Sequence, residues 1–93
     1  MAVLETIGGW GIRRLGAVAR GGRDYTSLDL TAPVAFVVGN EAHGLPPDVE
    51  PRLDDRITVP LAGRSESLNV GMATAVLCFE AVRQRRAEDE WGI

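Results

Sequence analysis

Apolar residues in this chain fall into a few dense blocks separated by glycine-rich polar stretches. The clearest block is Val34-Ala35-Phe36-Val37-Val38, a continuous, largely β-branched run that stops at Gly39. Such a run reads as a strand covered on both faces. Leu15-Gly16-Ala17-Val18-Ala19 reads as a shorter buried strand. Ile57-Thr58-Val59-Pro60-Leu61 reads as a third, whose proline marks its exit. From residue 68 the period changes. Leu68, Met72, Ala73, Val76, Leu77, Phe79 and Val82 give a wide apolar stripe at helical spacing. Ser65 or Ser67 is placed to cap that helix, because a serine oxygen accepts an orphan amide there. Arg83, Arg85 and Arg86 lie in its last turns, where cations complement the helix dipole. Asp89 to Ile93 reads as a frayed tail.

The segments between these blocks are weaker. Val3, Leu4, Ile7, Trp10 and Ile12 are loosely helical, with Gly8, Gly9 and Gly11 against them. Arg20 to Asp24 reads as a loop and Tyr25 to Ala32 as a connection. Pro46-Pro47-Asp48 opens a short helix, since proline suits the first turn. Asp54-Asp55-Arg56 is a turn. The order is β, β, short α, β, long α. Strands joined by helical crossovers predict an α/β domain, a parallel sheet with flanking helices. Three strands make a thin sheet, as in the latter portion of a larger unit.

Composition narrows the chemistry. With 93 residues and 45% hydrophobic, the chain allows one small domain with a modest core. It has no apolar run long enough to span a membrane. Its start, Met1-Ala2-Val3-Leu4-Glu5, lacks the basic and apolar regions of a signal peptide. One Cys and one His argue against a dedicated metal site. Cys78, amid Val76-Leu77-Cys78-Phe79, is expected in the core. These features fit a cytoplasmic protein. The net charge is −3, yet all ten basic residues are arginine. An acidic chain does not advertise nonspecific nucleic-acid binding. Arg20, Arg23 and Arg64 adjoin glycines in loops at the strand ends and are candidates for phosphate contact.

Two glycine-bearing loops carry the candidate chemistry. In Gly39-Asn40-Glu41, glycine lets backbone approach a ligand, and Glu41 at a strand's carboxyl end is placed to bind a hydroxyl or steer a proton. In Ser67-Leu68-Asn69, a helix N-terminus presents free amides, and Asn69 is a poor helix former with an evident task. Neither loop is a phosphate-binding P-loop or a dinucleotide fingerprint. His43 reads as a solvated loop residue.

Val37-Val38-Gly39-Asn40-Glu41-Ala42-His43-Gly44-Leu45 resembles the second motif of the SpoU (TrmH-type) RNA methyltransferases. Residues 57–73, from Ile57-Thr58-Val59-Pro60-Leu61 through Ser67-Leu68-Asn69-Val70, resemble the third. The likeness covers about residues 15–87. It implies the C-terminal portion of a SPOUT α/β-knot domain, in which the chain threads a loop to form a trefoil knot. It implies S-adenosylmethionine as cofactor, contacted at Gly39, Val59 and Leu68. Glu41, Ser67 and Asn69 match the positions that organise the reacting centre for methylation of a ribose 2′-hydroxyl in tRNA or rRNA. It also implies a homodimer formed through the last helix and the second-motif region. The family's first motif, with its asparagine and its proton-abstracting arginine, has no counterpart in residues 1–14, where Arg13 and Arg14 lie in a different context. The expectation is therefore a single partial domain over 1–93, without the N-terminal half that holds motif one. The alternative is a non-catalytic cofactor-binding or dimerisation module left by truncation.

Overall fold

The computed structural model describes residues 2–39, 44–60 and 70–90. It opens with helix α1 (Ala2–Gly9), followed by strands β1 (Arg13–Ala17), β2 (Arg23–Asp24) and β3 (Val34–Val37). A 3-10 turn (Glu50–Arg52) leads into β4 (Asp55–Thr58), and α2 (Val70–Glu90) closes the chain. All the strand pairs are parallel, and the sheet order is β2-β4-β1-β3. The α/β class read from the sequence is therefore the observed one.

α1 ends where its glycines permit. Gly11, at φ 81°, donates to Gly8 O at 3.0 Å, and Ile12 donates to Ile7 O at 3.3 Å. Those two bonds form a Schellman cap, which satisfies the last helical carbonyls. The chain then enters β1 two residues earlier than the apolar pattern implied. Arg13 N–H donates to Pro33 O at 3.1 Å, and Arg14 N–H to Asp54 Oδ2 at 2.7 Å. Two arginines thus sit in a strand because distant partners satisfy them.

β2 lies within the stretch read as loop. It is two exposed charged residues, paired with β4 at the edge of the sheet. Asp24 and Asp29 each fold the chain back onto a residue two further on: Thr26 N–H and Thr31 N–H donate to their carboxylates at 2.9 Å. Residues 25–33 return to β3 on the face that carries Leu15, Ile57 and Phe36, burying Leu28 and Leu30. Leu77 and Ala81 of α2 complete that core. On the other face Leu45 and Leu53 close over Gly16 so tightly that a Cβ there would meet Leu53 at 2.4 Å.

α2 differs from expectation in two ways. Asp89 and Glu90 are helical, not a frayed tail; 91–93 lie outside the described residues. The apolar stripe also divides. Leu77 is fully buried and Ala73 and Val76 partly so, but Met72 is 57% exposed, Phe79 74% and Val82 49%. Cys78 is exposed as well, which corrects its core placement. The helix carries apolar residues on two sides, and the sheet covers only one. Among the described residues no helix is long and apolar enough to cross a membrane.

The connection from β1 to β2 has the most consequence for the site. Ala17 and Arg23 flank the same residue, Ile57, from opposite sides. Residues 18–22 therefore bridge β4, a strand that comes later in the chain. Gly22 lies so close that a Cβ on it would sit 2.9 Å from the Ile57 backbone and 2.7 Å from Thr58 Oγ1. Only glycine fits there.

Candidate functional site

Because the strands are parallel, their carboxyl ends share one edge of the sheet. β3 and β4 both neighbour β1, so their exits lie two strand spacings apart, ~10 Å. After β1 the chain departs towards β2 on one flank and is later joined by β3 on the other. That reversal is a topological switch point, where open α/β sheets bind ligands beyond the strand ends.

The β3 exit is built on Gly39, which is half-buried. A Cβ on Gly39 would lie 2.4 Å from the Gly44 carbonyl carbon and oxygen and 2.7 Å from Leu45 N. The two ends of the second-motif loop are thus in backbone contact. Gly44, at φ 69°, makes the return in a conformation that L side chains rarely adopt. Both glycines are needed, one for the close approach and one for the turn. Val38 beside them is exposed.

The β4 exit carries Val59, half-buried against the core cluster. The structure thus places Gly39 and Val59 on the same edge. Glu41, Ser67, Leu68 and Asn69 lie outside the described residues, as do His43 and Arg64.

Sequence reasoning missed Thr58. Its hydroxyl donates to Val18 O at 3.0 Å and accepts from Gly22 N–H at 2.9 Å. It therefore holds both ends of the bridge over β4. Val18 N–H donates to Ile57 O at 2.9 Å and Tyr25 N–H to Thr58 O at 3.1 Å, completing the pairing on either side. The available signal was a hydroxyl within a β-branched run, together with the Gly21-Gly22 pair.

The loop arginines are occupied. Arg23 Nε lies 2.9 Å from Asp55 Oδ2, and Arg20 also has a partner. Arg14 grips Asp54 through Nε and Nη2, both at 3.0 Å. That side-chain bond, helped by the Arg14 N–H, holds the Asp54 carboxyl below its ordinary range. Arg52 pairs with Glu5, Arg56 with Glu50 and Arg83 with Glu80. Arg13 and Arg85 donate to main-chain carbonyls, and Arg86 has a partner too. Every described arginine thus has a partner, Arg20 and Arg23 among them. Among the described residues no group of three His, Cys, Asp or Glu side chains could hold a metal ion.

Residues 2–79 match the SpoU rRNA Methylase family. The chain is 40% identical over 62 residues to a tRNA (guanosine(18)-2′-O)-methyltransferase of Aquifex aeolicus, covering 67% of this chain and 29% of that protein. It is 38% identical over 84 residues to the 23S rRNA (guanosine-2′-O-)-methyltransferase RlmB of Vibrio parahaemolyticus, covering 90% and 34%. It therefore spans about a third of the length of these curated relatives. Its fold superimposes on the A. aeolicus TrmH/SpoU tRNA modifying enzyme with a TM-score of 0.83 at 30% identity, covering 95% of this chain and 45% of that one. The SpoU methyltransferase AviRb of Streptomyces viridochromogenes, solved in complex with AdoMet, gives a TM-score of 0.79 at 32% identity, covering 94% and 35%.

Proposed function

The chain belongs to the SpoU rRNA Methylase family, and from that premise we propose that it forms the S-adenosylmethionine-binding part of an RNA ribose 2′-O-methyltransferase. The observation that carries this reading is the convergence of Gly39 and Val59 on one strand-end edge, in a fold shared with a relative solved with AdoMet.

The residues present fit such a cofactor. A nucleoside-sized ligand needs backbone polar groups and a flat apolar wall. The glycine turn at 39 and 44 brings main chain to the strand-end edge without side chains, and Val38 and Val59 supply apolar surface on that edge. When bound, the cofactor supplies a methyl group already activated on a sulfonium. The protein's own task is alignment of a ribose hydroxyl with it and removal of a proton. In this reading Gly39, Val59 and Leu68 contact the cofactor. Glu41 organises the centre, and Ser67 and Asn69 orient the ribose. Arg14 is committed to Asp54 and takes no part.

The acceptor is tRNA or rRNA, the substrate class named for both curated relatives. In this reading the activity is cytoplasmic, a compartment in which such acceptors occur. The crossing of β4 by residues 18–22 is the kind of threading that a knotted domain needs, and we assign the chain to such a domain. A homodimer through the uncovered face of α2 accounts for exposed Met72, Phe79 and Val82.

Calorimetry with S-adenosylmethionine and a methyl-transfer assay on tRNA and rRNA test the reading in the polypeptide that carries this chain. Binding and label on a ribose 2′-oxygen are expected. Asn69→Ala should lower transfer more than cofactor affinity. A folded sample that binds neither the cofactor nor its demethylated product overturns the assignment.

A further inference from the structure

We propose that Thr58 is a positioning residue for the cofactor site, acting through the bridge at residues 18–22; this rests on the functional reading above. Thr58 immediately precedes Val59, the β4 residue at the candidate site. Its single hydroxyl ties Val18 O and Gly22 N–H, so one atom sets both ends of the five-residue span.

Two further main-chain constraints lie at the same two points, and Arg20 between them also has a partner. Val18 N–H bonds Ile57 O, and Gly22 stacks on the Ile57 backbone with no room for a Cβ. Between them Gly21 adopts φ 84°, which lets the chain turn over the strand. The middle of the span, Ala19 to Gly21, is exposed. Thr58 Oγ1 is thus where the bridge is fastened to the strand that delivers Val59. Loss of the hydroxyl leaves a part-buried Gly22 N–H and Val18 carbonyl without their partner. The span can then lift, and the edge beside Val59 loses its fixed wall.

The test compares Thr58→Val, which keeps the shape and deletes the hydroxyl, with Thr58→Ser, which keeps the hydroxyl. Titration calorimetry with S-adenosylhomocysteine is run well below the melting temperature of each variant. Amide exchange at Gly22 and Leu15 is followed in the same samples. Thr58→Val is expected to bind about ten-fold more weakly, the loss of one well-formed hydrogen-bonded pair. Its Gly22 amide should exchange faster while Leu15 stays protected. Thr58→Ser should bind within about two-fold of the unsubstituted protein. If Thr58→Val binds normally while only its melting temperature falls, Thr58 is a structural residue and the inference fails. If Thr58→Ser binds as weakly as Thr58→Val, the hydroxyl is not the cause and it fails too. If the unsubstituted protein does not bind, the functional reading itself is wrong and this inference falls with it.

Discussion

The side-chain amide of Gln84 pairs with the main chain at Leu30 as a neighbouring strand would. Its Oε1 accepts from Leu30 N–H at 2.7 Å, and its Nε2 donates to Leu28 O at 3.1 Å. Arg85 extends the contact, donating to Leu30 O and Ala32 O, both at 3.1 Å. The C-terminal half of α2 is therefore fixed to the segment that leads into β3. Gln84→Met keeps the length of the side chain and removes both bonds, together with the one that Nε2 donates to Glu80 Oε2 at 2.8 Å, stranding the amide of buried Leu30. The expected cost is about 1–3 kcal/mol, seen as a lower urea midpoint at unchanged slope. An unchanged midpoint would show that this docking is dispensable.

At the other end of β3, Gly39→Ala drives a methyl group into the Gly44 backbone, which cannot step aside as a flexible side chain can. Overpacking of this kind costs about 1–3 kcal/mol. Here it also opens the loop that frames the candidate site. Cofactor affinity should fall together with the melting temperature, and calorimetry alongside thermal unfolding reads both.

Acid should destabilise the fold. Hydrogen bonding from Arg83 holds the buried Glu80 carboxyl below its ordinary range. Burial opposes this, and Gln84 adds to it. Arg14 does the same to Asp54. Thr26 and Thr31 lower Asp24 and Asp29. In each case the folded chain holds its proton less tightly than the unfolded chain, whose carboxyls titrate near ~4. The stability these groups contribute is complete above that value and is lost as pH falls through the lower, folded values. Urea midpoints should be flat between about pH 5 and 7 and drop below about 4. Glu80→Gln should shallow that drop. A midpoint that rises on acidification contradicts the assignment.

Phe79 tests the proposed homodimer. It is 74% exposed, on the same side of α2 as Met72 and Val82. Phe79→Asp should leave the stability of the single chain within about 0.5 kcal/mol, as surface changes do. Light scattering should show a dimer for the unsubstituted protein and a monomer for the variant; a monomer in both overturns the proposed homodimer. A dimer that survives the change locates the interface elsewhere.

Much of this was legible in local pattern. Val34 to Val37 read as a strand because a β-branched run admits little else, and the glycine turn at residue 39 was visible as a polar loop at its end. The pattern failed where distant partners decide. Arg13 and Arg14 lie in a strand because Pro33 and Asp54 receive their donors. Arg23 and Asp24 form a strand only because β4 runs beside them. On α2 the period identified the helix but not its covered side: Leu77 is buried and Phe79 is not, though both are apolar. In the site, Gly39 was accessible from its motif. Thr58 was not, since its two partners are 36 and 40 residues away.

The placement of Ile57 between Ala17 and Arg23 also bears on how the sheet is completed during synthesis. On a ribosome, both walls of that slot emerge before the piece that fills it. Until Ile57 arrives, Arg23 and Asp24 have no strand to pair with and β1 is open on its β4 side, a state exposed to wrong partners. The β4 pairings join residues 34 or 40 positions apart in the chain, a long-range closure that no local propensity can hasten.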